Sequence, residues 1–107
     1  MKTVKKLWGK EEIIVNKEYC GKMLTLNKGF MCSLHYHKLK DETFYIISGW
    51  VKMEAGEKDW IMKPGDVQHI KRGQLHRFSG FTNAEIIEFS TKHLDTDSYR
   101  EEPSGEI

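Results

Sequence analysis

Short runs rich in Val, Ile, Thr, Tyr, Phe and Trp alternate with turn signals along this chain, and helical periodicity is hard to find. The runs EEIIVN, YCGKMLTLN, FMCSLHYH, ETFYIIS, WVKMEA, DWIM, VQHI, HRFSG and AEIIEFS read as strands. Between them lie NKG, KLKD, AGEKD, KPGD, KRGQ and GFTN, rich in Gly, Asn, Asp and Lys. Pro64-Gly65 suits a tight turn, because Pro presets φ at the first central position and Gly tolerates positive φ at the second. About nine short strands within 107 residues predict one all-β domain, an antiparallel sandwich, barrel or jelly roll. That domain is expected over residues 1–93. The last fourteen residues, LDTDSYREEPSGEI, turn acidic and polar and read as a C-terminal extension, 94–107.

Charge narrows the function classes. Seventeen Lys and Arg against sixteen Asp and Glu leave a net charge of +1, without the basic excess of a nucleic-acid binder. No apolar run approaches the ~20 residues of a membrane-spanning helix. The basic start MKTVKKLWGK is followed by no apolar stretch and does not read as a signal peptide. A cytoplasmic location is therefore expected, with Cys20 and Cys32 as free thiols.

The run SLHYHKLKDETFYIISG carries the chemistry. Side chains alternate across a strand, so His35 and His37 share a face and project in parallel, ~7 Å apart along the strand. The alternate positions Phe30, Cys32, Leu34 and Tyr36 are apolar. Across the KLKD turn, Glu42 opens the next strand within reach of both histidines. Two imidazoles and a carboxylate are good ligands for first-row divalent metals. Taken alone, an HxH pair is equally a solvated strand face, and the spaced glutamate leaves the two readings level.

Further on, KPGDVQHIKRGQLHRFSG adds His76 after a second glycine turn. Here the pattern resembles the cupin superfamily. Its first motif, Gly-x5-His-x-His-x4-Glu-x6-Gly, fits Gly29, His35, His37, Glu42 and Gly49. Its second, Gly-x5-Pro-x-Gly-x2-His-x3-Asn, fits Gly65, Gly73 and His76, while Lys71 and Gly80 stand where Pro and Asn are usual. The resemblance implies a cupin jelly-roll barrel with His35, His37, Glu42 and His76 gathered on one divalent metal ion, Mn, Zn, Fe or Ni. Outside that pattern, His69 reads as pocket-lining or packed and His93 as solvated.

Segments at both ends of the domain, WGKEEIIVN and IIEFSTKHLDTDSYREE, are similar to small sugar-isomerase cupins of the D-lyxose isomerase and type II mannose-6-phosphate isomerase kind. That likeness implies a sugar substrate and an ene-diolate mechanism needing a base, for which Glu54, Lys63 and His69 are the candidates. Lys71, Arg72 and Arg77 are candidates for a phosphate clamp, with solvated surface as their plainer role. The same ligand shell also suits an Fe(II)-dependent dioxygenase or a non-catalytic sugar- or metal-binding module. Phe30, Leu34, Tyr36, Tyr45 and Ile47 are expected to form an apolar patch covered by a second subunit in a homodimer.

Overall fold

The computed structural model describes all 107 residues. Thirteen strands follow in order: β1 (Lys2–Lys6), β2 (Gly9–Asn16), β3 (Tyr19–Leu26), β4 (Phe30–Met31), β5 (Leu34–Tyr36), β6 (Glu42–Ser48), β7 (Val51–Ala55), β8 (Lys58–Met62), β9 (Val67–Ile70), β10 (His76–Gly80), β11 (Ala84–Thr91), β12 (Tyr99–Glu102) and β13 (Gly105–Glu106). One 3-10 turn, Asp95–Asp97, precedes β12, and no helix is long and apolar enough to cross a membrane. Each of the nine expected runs is present. FMCSLHYH splits into β4 and β5, and β1, β12 and β13 lie in segments that carried no clear strand signal.

The strands form two antiparallel sheets in a jelly-roll arrangement. The first runs β1-β2-β3-β11-β6-β9. In the second, β10 takes β4 and β5 along one edge and β7 along the other, with β12, β13 and β8 outside them. The split between β4 and β5 breaks the expected alternation. Cys32 joins the buried core, and so it does not share an outer apolar face with Leu34 and Tyr36. The backbone at Cys32 is held by Phe78, and its carbonyl accepts from the Arg77 guanidinium at 2.8 Å.

Register explains how one small core serves both stability and chemistry. On β3, Leu26, Leu24 and Lys22 face inward; on β11, Ala84, Ile86 and Glu88; on β6, Ile46, Phe44 and Glu42. Pairing sets Ile86 against Leu24 and Ile46, Glu88 against Lys22, and Ser90 against Glu42. The inward rows thus pass together from apolar to charged. The apolar end holds Trp8, Leu24, Leu26, Phe44, Ile46, Met53, Phe78 and Ile86, each large side chain contributing about 1.5–3 kcal/mol by leaving water. At that end Gly49 has a φ of +74°, and a Cβ there would lie 2.0 Å from the Asn83 carbonyl oxygen, so the turn after β6 requires glycine. The charged end is a cavity of about 400 Å³.

Residues 94–107, expected as an extension beyond the domain, are paired into the second sheet. β12 pairs with β5, β13 pairs with β4, and Tyr99 stacks on Tyr36 at 5.2 Å. Arg77 is buried against this segment, donating to Glu102 at 2.9 Å and to the Pro103 carbonyl at 3.0 Å, rather than solvated.

Candidate metal centre

His35 and His76 are direct cross-strand partners on β5 and β10, and His37 follows on the same side as β5 ends. Their ligand nitrogens lie within 4.8 Å of one another, so the three rings could hold a metal ion. Each ring is oriented by a backbone carbonyl at its Nδ1: Ser33 for His35 at 2.7 Å, Asp97 for His37 at 2.8 Å and Gln74 for His76 at 2.9 Å. A carbonyl oxygen can only accept, so each Nδ1 carries its proton and each Nε2 is free for a ligand. Burial pushes His35 down to about 3 and His37 down to about 4, which keeps both rings neutral at physiological pH.

Glu42 approaches from the first sheet. Its Oε1 lies 3.1 Å from His76 Nε2 and its Oε2 lies 3.5 Å from His37 Nε2. Burial alone would raise its pKa, but the bond to the His76 ring and the Lys40 ammonium hold it well below the usual carboxylate range. Gln74 already takes the Nδ1 proton of His76, so its Nε2 lone pair and Glu42 Oε1 are two acceptors side by side, an arrangement that a shared divalent cation would suit. Glu42 Oε2 makes an ion contact with Lys40 Nζ at 3.0 Å but has no hydrogen bond of good geometry, a further sign that this buried oxygen has capacity for a cation.

Behind this group is a polar network that sequence reading missed. Lys40 is buried and bridges Glu42 to Glu88, with Nζ 3.1 Å from Glu88 Oε2 and 3.3 Å from His93 Nδ1. Glu88 lines the cavity, and burial, reinforced by the charge of Glu42, raises its pKa. His93 also lines the cavity, half-buried, where solvent exposure was expected. The loop carrying Lys38, Leu39 and Lys40 closes on the Asp97 carboxylate, which accepts from all three backbone N–H groups at 2.9, 3.1 and 2.9 Å. Burial of Asp97 acts upward on its pKa, and those three bonds bring it below the ordinary value. Strand parity could have flagged Lys22 and Glu88, since each is in phase with inward Leu or Ile neighbours. Lys40 and Asp97 carry no such mark.

His35, His37, Glu42 and His76 are therefore brought together, and Glu54, Lys63 and His69 are not. Glu54 sits on β7 between Arg77 and Asp59. The Lys63 ammonium lies 4.7 Å from the centre of the exposed Trp50 ring. His69 is half-exposed, with Nε2 2.6 Å from Asp41 Oδ1. None of the three lines the cavity. Of the candidate phosphate contacts, Lys71 and Arg72 are exposed, and Arg72 donates to the Leu39 carbonyl at 2.8 Å. Cys20 and Cys32 are buried free thiols.

Comparison with known proteins gives the family and the fold. The chain is 35% identical over 75 residues to "Oxidoreductase OpS7" of Beauveria bassiana, and spans about a fifth of that protein's length. Among solved structures, KdgF from Halomonas sp. superposes with a TM-score of 0.81 at 14% identity, covering 90% of this chain and 92% of that one. The capsular polysaccharide assembling protein CapF of Staphylococcus aureus gives 0.82 at 17% identity, over 94% of this chain and 34% of CapF. These likenesses establish the fold alone. The Cupin domain family profile matches residues 22–89, a span that holds all three clustered histidines and Glu42, and the chain belongs to the cupin family.

Proposed function

We propose that the protein is a metal-dependent sugar isomerase or epimerase, with His35, His37, Glu42 and His76 as the metal ligands. The observation that carries this reading is the convergence of three imidazoles, each anchored through Nδ1, beside an acceptor-only carboxylate at a cavity that His35, His37 and Glu42 line. A divalent ion held there would supply a Lewis acid for adjacent carbonyl and hydroxyl oxygens and so favour an ene-diolate. The chain supplies the rest. Phe44 and Phe78 form the apolar side of the cavity and limit water. Glu88, buried and outside the ligand set, holds or gives up the proton moved between neighbouring carbons. Burial raises its pKa above the ordinary carboxylate value, the direction that helps a carboxyl group hold a proton. Lys40 keeps Glu42 and Glu88 at fixed separation by contacting both. The description of CapF as a polysaccharide-assembling protein is compatible with a sugar substrate.

Aldose–ketose interconversion followed by NMR tests the reading, using protein purified without chelators. Turnover that EDTA abolishes and added divalent metal restores is the expected result. Metal-loaded protein without turnover on aldoses and ketoses overturns it and leaves a binding module. A second reading, an Fe(II)-dependent oxygenase, draws on the fungal relative's description as an oxidoreductase. Iron in the purified protein with oxygen uptake would favour it.

We also propose a homodimer formed through the outer face of the first sheet. Tyr45, Ile47, Val67 and Phe89 stand exposed on β6, β9 and β11, adjacent strands of that sheet, and make a patch suited to a two-fold, self-matching contact. The partner residues expected on the second sheet take no part in this face: Tyr36 is stacked under Tyr99 and Phe30 packs on the core. Sedimentation at micromolar concentration should give twice the mass of the chain, and Phe89→Glu should return it to a monomer. A monomeric parent protein refutes the contact.

A further inference from the structure

The cavity carries more positive charge than its carboxylates account for. Lys22 lies in the inward row of β3 and is only 1% exposed. Its ammonium has three N–H groups to satisfy. Its single ion contact is with Glu11 Oε1 at 3.5 Å, well beyond the ~2.7–2.9 Å of a charge-assisted hydrogen bond. Glu88 is its cross-strand partner but makes no ion contact with it; the Glu88 Oε2 is engaged by Lys40 at 3.1 Å and Ser90 at 3.3 Å. Of the other acids lining the cavity, Glu42 is held by Lys40 and Asp95 by His93. Three more cations, Lys2 and Lys6 on β1 and Arg100 on β12, line the same space and form no ion pair.

The Lys22 ammonium, short of close acceptors, lines the cavity that His35 and His37 also line, and an anionic group there would supply them. We propose that this cavity takes a small polyhydroxy acid, its carboxylate on Lys22 and its hydroxyl or carbonyl oxygens toward His35 and His37. Lys2, Lys6 and Arg100 raise the local concentration of such an anion. The proposal rests on reading the cavity as a metal-dependent site and narrows the sugar of that reading to a sugar acid.

The test compares D-gluconate with D-glucitol, which differ by a carboxylate in place of a hydroxymethyl group. Binding is measured calorimetrically on protein loaded with Mn(II) and freed of excess metal. D-gluconate should bind tighter by about tenfold or more, as a charge-assisted pair implies. That preference should vanish in Lys22→Met and persist in Lys22→Arg, with metal content unchanged in both. Equal affinity for the two compounds, binding of neither, or a preference that survives Lys22→Met overturns the proposal. Should Lys22→Met fail to fold, Lys22→Gln takes its place, with the same loss of preference expected, and equal affinity in the parent overturns the proposal without any variant. The readout is binding, so failure to isomerise sugars leaves this result standing, and loss of the preference leaves the isomerase reading standing.

Discussion

Replacing His76 by alanine should abolish metal binding while leaving a folded β-protein. His76 is fully buried, is the cross-strand partner of His35, and is the ring closest to Glu42. Its loss removes one ligand and opens the wall behind the other two. Losing even an outer partner of a metal site typically costs 10–100-fold in affinity, and loss of a ligand should exceed about a hundredfold. Elemental analysis of protein purified without chelators should therefore fall to near zero in His76→Ala, with His37→Ala behaving alike. The β-sheet circular dichroism should be retained, because most of the core cluster, Leu24, Leu26, Ile46, Val51, Met53, Met62, Ala84 and Ile86 among it, keeps its apolar neighbours. Metal content unchanged from the parent would refute the four-ligand assignment.

The parts of this site visible in the sequence are those that obey local rules. His35 and His37 are separated by the strand period, and Glu42 and His76 stand at spacings set by two turns. The alternation of β3, β6 and β11 fixes inward rows that the sequence displays openly as Leu24-x-Leu26, Phe44-x-Ile46 and Ala84-x-Ile86. Other features depend on contacts distant in the chain. Lys40 looks like an ordinary turn lysine until Glu88, 48 positions away, is found against it. The strand expected over FMCSLHYH is broken at Cys32, whose N–H donates to the Phe78 carbonyl and whose carbonyl accepts from Arg77, and no local pattern marks that break. The final segment reads as a tail because its composition is polar, whereas β12 and β13 are held by backbone pairing to β5 and β4, which composition does not record. Glu54, Lys63 and His69 have the chemistry of a base, but the direction of each side chain depends on the fold, and of the four carboxylate, lysine and histidine groups concerned only Glu88 lines the cavity.

Asp97→Ala should lower both thermal stability and metal affinity, although Asp97 is not among the proposed ligands. Its carboxylate accepts from the backbone N–H groups of Lys38, Leu39 and Lys40, and its own carbonyl accepts from His37 Nδ1. Alanine keeps the carbonyl but leaves three donors without their acceptor, two of them in residues open to water and one in buried Lys40. Leaving a buried donor unsatisfied costs ~1–3 kcal/mol, which for a domain this size lowers Tm by on the order of 10 °C. The loop then relaxes, and with it the His37 ring, Lys40 and the start of β6 at Glu42. Metal affinity should fall 10–100-fold, the usual result of losing a group that orients a ligand. Asp97→Asn, which keeps one accepting oxygen, should lie between the parent and alanine in both measurements. The segment itself should stay docked, since Arg77 still holds Glu102 and Tyr99 still stacks on Tyr36. The defect is then one of ligand placement, visible as weakened metal binding in a folded protein by competition with a chelator. Thermal unfolding with and without metal separates the two effects: the metal-free Tm reports the lost loop bonds, and the increment on adding metal reports His37. If that increment equals the parent's while the metal-free Tm falls, Asp97 supports the loop alone and the C-terminal segment has no part in building the metal centre.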